Sequence, residues 1–143
     1  MLVVDDNTYA AAGRQLEGQL KSNGFDVKVA HLTGEEIVAN EDYFIQVMLA
    51  TGDEDRSFVA VGSGSITDIT RFVSFHRRSS FIAYPTAASV DGYTSAGAPA
   101  VIRGFKKTIY CQSPQGVFAD LAVLSAAPQA MTASGFGDML GKY

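Results

Sequence analysis

The most constraining feature of this sequence is a junction. The apolar run Phe58-Val59-Ala60-Val61 passes directly into Gly62-Ser63-Gly64-Ser65, and a helix-period pattern, Ile66, Ile69, Phe72 and Val73, follows at once. A short, continuous apolar run suits a strand buried on both faces. With a tight turn and an amphipathic helix behind it, the unit is one that builds parallel sheets covered by helices. The rest of the chain repeats the alternation. Leu2-Val3-Val4 is a second wholly apolar run; Asp5, Asp6 and Asn7 then offer caps for a helix to about Asn23, with Ala12, Leu16 and Leu20 on one face and Gly24 as its stop. Asp26 to Leu32 alternates as a strand, and Asn40 can cap a helix in which Phe44, Val47 and Met48 share a face. Phe81 to Tyr84 reads as a strand stopped by Pro85, with further strands expected at Thr108 to Gln112 and Val117 to Leu124.

The expected architecture is therefore α/β, a mostly parallel sheet with flanking helices, formed by residues 1–127 as one domain. Residues 128–143 read as helical but broken by Gly135 and Gly137, the start of a second unit in a sequence that ends inside a larger protein. A length of 143 residues, 47% of them hydrophobic and 18% charged, suffices for a sizeable core. The net charge of -4 argues against a nucleic-acid partner. Arg77-Arg78 and Lys106-Lys107 read as solvated helix-end and turn charges. Cys111, the single cysteine, sits in an apolar run and reads as a core residue rather than a nucleophile. No run approaches membrane-spanning length and no signal-peptide pattern opens the chain, so a cytoplasmic location is expected.

The glycine-rich junction has a chemical reading. Glycines let backbone approach a phosphate, and the free N–H groups of a helix start, backed by the helix dipole, complement its charge. Ser63 and Ser65 add hydroxyls, and Asp68 lies one turn on. The spacing is neither G-x-G-x-x-G, since position 67 is Thr, nor a P-loop. A tight structural turn is the alternative. A second polar segment, Pro85 to Ser95, also follows an apolar strand. Ligands of open α/β sheets bind beyond the carboxyl ends of the strands, so the two segments can share a crevice, with Thr86, Ser89 and Ser95 giving hydroxyls and Asp91 a carboxylate. An exposed turn is the alternative there.

Together with Ala126-Ala127-Pro128 and Ser134-Gly135-Phe136-Gly137-Asp138, these blocks resemble the sn-glycerol-1-phosphate dehydrogenases, within the wider group of glycerol dehydrogenases, iron-dependent alcohol dehydrogenases and dehydroquinate synthases. The resemblance runs from the first strand to Tyr143. It implies a Rossmann-like nucleotide-binding domain and a helical C-terminal domain missing here. It also implies reversible hydride transfer between glycerol 1-phosphate and dihydroxyacetone phosphate, using NAD or NADP and a divalent metal, usually zinc. By position, Gly62, Ser63, Gly64, Ser65 and Ile66 would hold the pyrophosphate, with Asp68 nearby. Thr86, Ala87, Ala88, Ser89 and Ser95 would line the cofactor, Asp91 would contact the substrate, and Asp138 would bind the metal and approach the substrate. A carboxylate suits a divalent ion, which would act as a Lewis acid on the substrate oxygen. The residues alone also allow Asp138 to be a helix N-cap.

The sequence departs from the family pattern in two places. The other metal ligands would be two histidines of the missing domain, and neither His31 nor His76 stands where those belong, so the chain by itself is expected to be inactive. Ser63 stands where relatives often have glycine, which requires an ordinary backbone conformation there. Glycerol dehydrogenase, dehydroquinate synthase and an isolated nucleotide-binding module are the rival readings. A phosphoacceptor receiver domain, suggested by Asp5-Asp6, lacks its carboxylate after the third strand. Oligomeric state, homo-oligomer or monomer, is left open.

Overall fold

The computed structural model describes residues 1–142. Four strands, β1 (Leu2–Val4), β2 (Val29–His31), β3 (Phe58–Gly62) and β4 (Phe81–Pro85), form one sheet in the order β2-β1-β3-β4, every pair parallel. Because apolar side chains alternate across the sheet, β1 serves two cores. Val3 joins Ala30, Phe58, Ala60 and Phe81 beneath α3 (Glu41–Thr51) and α4 (Gly64–His76). Leu2 and Val4 join Val61, Ala12, Leu16 and Leu20 on the opposite face. The result is a three-layer α/β/α unit, as expected.

The helix after β1 is one rod of three segments, α1 (Asp6–Thr8), a π turn (Tyr9–Gly13) and α2 (Arg14–Ser22). Asp5 caps it in a reciprocal box with Thr8, and Gly24 ends it at a positive φ of 85°. Gly13 passes so near Val4 and Tyr9 that a Cβ would lie 3.1 and 2.9 Å from their side chains. Asn40 caps α3 by accepting from the Tyr43 N–H.

Beyond β4 the structure departs from the expected strand pattern. Thr108 to Gln112 does not extend the parallel sheet. β6 (Phe105–Tyr110) pairs antiparallel with β5 (Gly97–Ile102) in a separate hairpin, turned at Arg103 and Gly104 with positive φ. Lys106 and Lys107 are thus strand residues, not turn charges, whereas Arg77 does end α4. Val117 makes only an isolated bridge to Ala83, and the strand expected to follow is instead the short helix α5 (Leu121–Ser125). Asp120 diverts the chain there by accepting from the Ala122 and Val123 N–H groups. Cys111 is half-buried rather than in the core. α6 (Gln129–Leu140) runs unbroken through Gly135 and Gly137.

Candidate functional site

Both polar segments emerge from the carboxyl end of the sheet. Gly62 and Pro85 are register partners at the last rung of β3 and β4, and the Thr86 N–H donates to the Gly62 carbonyl at 3.2 Å. Gly62 is needed there because a Cβ would lie 2.6 Å from Ile66, itself packed inward. Ser63 has φ -93° and ψ -155°, extended backbone open to any residue, so serine replaces glycine without strain. α4 then begins, and its first bond of this kind runs from the Thr67 N–H to the Ser63 carbonyl at 3.0 Å. The Gly64, Ser65 and Ile66 amides are left as the orphan donors of a helix start, and Ser63 makes no side-chain cap to occupy them.

Two concavities flank this helix start, and Ser65 lines both. The larger, a cleft of about 620 Å³, runs between Gly64, Ser65 and Asp68 on α4 and the segment from Val90 to Ser95. Lys106 and Thr108 of the hairpin and Asp138 and Lys142 at the far end of the chain complete it. The smaller, about 290 Å³, lies at the ends of β1 and β3, among Asp5, Asp6, Glu35, Glu36, Ser63 and Ile66. Strand order reverses between β1 and β3, the place where open α/β sheets bind ligands.

The structure brings Gly64, Ser65, Asp68, Asp91, Ser95 and Asp138 together on the cleft. Ser63 and Ile66 fall on the smaller hollow, and Thr86, Ala87 and Ser89 are buried behind the wall. Ala88 is exposed, and its carbonyl meets α6 so closely that a Cβ on Gly135 would sit 1.9 Å from that oxygen. This contact is why glycine stands inside α6, and it seats Asp138 over the cleft. There the Asp138 carboxylate accepts from the Asp91 N–H at 3.0 Å. Asp138 lies within the helix and is not its N-cap; that position is Pro128. The Asp91 carboxylate is paired with Lys142, whose ammonium holds it below the usual carboxylate range. Tyr93 fixes the wall from below, its hydroxyl donating to the Ala87 carbonyl at 2.5 Å.

Asp68 is the most perturbed carboxylate: burial pushes its pKa up to about 7 against the pull of Arg71, to which it accepts at 2.5 Å. Burial also raises the Cys111 thiol, which disfavours thiolate chemistry there. His31 pairs with Asp6 at 2.7 Å, and the His76 ring nitrogen meets the Phe72 carbonyl at 2.8 Å, so neither approaches Asp138. Among the described residues no three His, Cys, Asp or Glu side chains cluster as a metal site. Lys106, Lys142, Tyr93 and Arg71 are the contributors that sequence reasoning missed. The pairing of Asp68 with Arg71 three residues on is the one signal that was available for any of them.

The iron-containing alcohol dehydrogenase family model matches residues 1–128. This chain belongs to that family. Its relatives bear out the resemblance drawn from the three sequence blocks. The glycerol-1-phosphate dehydrogenase [NAD(P)+] of Geobacillus thermodenitrificans is 48% identical to it over 146 residues, covering 100% of this chain and 36% of that protein. This family member thus spans about a third of the length of the curated relatives it matches. Solved structures share the fold. The glycerol dehydrogenase of Schizosaccharomyces pombe superposes with a TM-score of 0.82 at 24% identity, over 98% of this chain and 36% of that one. A 2-deoxy-scyllo-inosose synthase solved with carbaglucose-6-phosphate, NAD+ and Co2+ gives 0.80 at 19% identity, over 97% of this chain and 40% of that one. Among the described residues, no helix is long and apolar enough to cross a membrane.

Proposed function

We propose that this chain is the nucleotide-binding part, residues 1–127, of an NAD(P)-dependent dehydrogenase that interconverts sn-glycerol 1-phosphate and dihydroxyacetone phosphate, with residues 128–143 opening a second domain. One observation carries the reading: the uncapped start of α4, presenting the Gly64, Ser65 and Ile66 amides between two concavities. An extended dinucleotide has a pyrophosphate at its middle and a nucleoside at each end. The α4 amides and dipole receive the pyrophosphate. The adenosine half takes the hollow by Asp5 and Glu36, and the nicotinamide half takes the cleft with Asp91 and Ser95. The substrate sits beside the nicotinamide, where Asp91 accepts from its hydroxyl and Lys142 faces its phosphate.

A divalent metal, zinc by resemblance, would polarise the substrate oxygen when bound. Asp138 is the residue that would hold it, and the described residues bring no cluster of three potential ligands together, so they do not make a complete site. The residues present therefore bind and orient, and the chain alone is inactive. Cytoplasmic location belongs to the same reading, and homo-oligomerisation is compatible with it. Calorimetric titration with NAD and NADP tests the binding half. Fusion to the remainder of a relative such as the Geobacillus enzyme, followed by dihydroxyacetone-phosphate-dependent oxidation of NADH, tests the catalytic half. A fusion that binds neither dinucleotide contradicts the assignment. The named relatives favour this substrate over glycerol or a dehydroquinate precursor.

A further inference from the structure

Arg71 is a single cation within an amphipathic helix, where a solvated side chain is the ordinary outcome. Instead its side chain is 1% exposed and heads the fully buried side chains by volume. A guanidinium does not release its proton to escape burial, so it persists inside a protein when it has an acidic partner and acceptors for its N–H groups; here Nη1 and Nη2 find them, while Nε has no partner among the described residues. Asp68 is its acidic partner, accepting from Nη1, and balances the charge once ionised, above about pH 7. The remaining contacts all go to one segment: Nη1 donates to the Gly97 carbonyl at 2.8 Å, and Nη2 donates to the Gly92 and Tyr93 carbonyls at 3.0 and 3.2 Å. The Phe81 ring lies beneath the guanidinium, 5.7 Å from centroid to Cζ, within cation–π range. A side chain rooted in the helix that forms one wall of the cleft thus holds the backbone of the opposite wall.

We propose that Arg71 is a positioning residue for this cleft: its guanidinium, paired with Asp68, grips the Gly92, Tyr93 and Gly97 carbonyls and so fixes Asp91 and Ser95 relative to the start of α4. Its value for binding rests on the nucleotide reading above; its grip on the wall does not. The shape of the group matters as much as its charge. Lysine would keep the charge, but a single ammonium cannot span three carbonyls and a carboxylate in one plane. The burial that raises Asp68 agrees with a pair enclosed between the two walls. Lys106, Tyr93 and Cys111 are the other titratable groups near this pair.

The test is hydrogen exchange on the full chain, paired with NADH titration. The Ser95 N–H donates to the Gly92 carbonyl at 3.1 Å and the Gly97 N–H to Ser95 Oγ at 2.9 Å, so both amides report on the wall. In Arg71→Lys these two amides are expected to exchange at least about tenfold faster, and NADH affinity to fall at least about tenfold. Unchanged exchange overturns the proposal, and so does a loosened wall with unchanged affinity. In Asp68→Asn, which keeps an acceptor for Nη1, the two amides should stay protected; loss of their protection would show the counter-charge, not the carbonyl grip, to be in control. Should Arg71→Lys not fold, the unsubstituted chain still decides. Ser95 and Gly97 exchanging as slowly as the amides within α4 supports the grip, and exchange as fast as the open turn at Gly104 overturns it. If neither the unsubstituted chain nor its fusion to the remainder of a relative binds a dinucleotide, the nucleotide reading fails, while the exchange comparison still judges Arg71.

Discussion

All three residues of β1 are buried, whereas β6, twice as long, buries none of its six. The contrast extends along the chain. Residues up to β4 place most of their large apolar groups in two cores shared by one sheet, with Phe25 and Leu49 as exposed exceptions, while Phe105, Tyr110, Phe118, Leu121 and Phe136 are all at least 60% exposed. The first region is held by its own packing. The second leans on those cores through a few small or partly buried side chains, Ala100, Ile102, Ile109 and Val123, and is otherwise held at polar and close-backbone points: Arg71 to the 92–97 carbonyls, Gly135 against Ala88, Asp138 to Asp91. A cleft built between a half that owns its cores and a half that leans on them can have its scaffold and its lining altered separately.

The sharpest way to break that comparison is to truncate one side chain in each region. Phe58→Ala, fully buried, is expected to cost about 3–5 kcal/mol in urea unfolding. Leu121→Ala, 80% exposed, should stay within about 0.5 kcal/mol. Equal losses would mean that the exposed Leu121 carries as much packing as Phe58. Next in size is Gly135→Ala, where the new methyl meets the Ala88 carbonyl. α6 must then lift, and limited proteolysis should cut residues 129–142 faster while the urea midpoint barely moves. A large fall in midpoint would contradict the light attachment.

Asp68 gives a smaller, pH-dependent effect. Its native carboxyl keeps its proton up to about 7, while the unfolded chain releases it near the ordinary 3.8. The native state therefore binds more protons between those values. This contribution to stability is complete below about pH 4 and is lost as pH rises through 7. Asp68→Asn should remove that falling limb from the stability curve, and an unchanged curve would place the titration elsewhere. The smallest effect concerns the hollow by β1. Its carboxylates, Asp5, Asp6, Glu35 and Glu36, oppose a further phosphate, so NAD should bind more tightly than NADP. Glu35→Gln with Glu36→Gln should narrow the gap several-fold.

The same division explains what could be read from sequence. β1, β3 and β4 were legible because strands buried on both faces are written as unbroken apolar runs. The caps at Asp5 and Asn40 and the stop at Gly24 were legible because each is a local backbone requirement. The hairpin was not, because an exposed strand such as Phe105–Tyr110 has no buried face to impose a period, and its two lysines read as turn charges. Val117 to Leu124 has strand-like alternation, yet only Val117 bridges to the sheet and Asp120 caps a helix from Leu121. Gly135 looked like a break because its cause, the Ala88 carbonyl, lies 47 residues away in sequence. Of the candidate site, both loops and their meeting at one crevice were visible. The buried Arg71 was not, since nothing local distinguishes a buried arginine from a solvated one.

The central claim is that a dinucleotide binds across the start of α4. Its most direct test is amide chemical-shift mapping of the chain during titration with NAD+. The account predicts the largest shifts at Gly64, Ser65 and Ile66, with Asp91 to Ser95 following and the opposite end of the sheet, near Phe25 and Ile82, unmoved. Saturable binding with its largest shifts at Phe25 and Ile82 would contradict it.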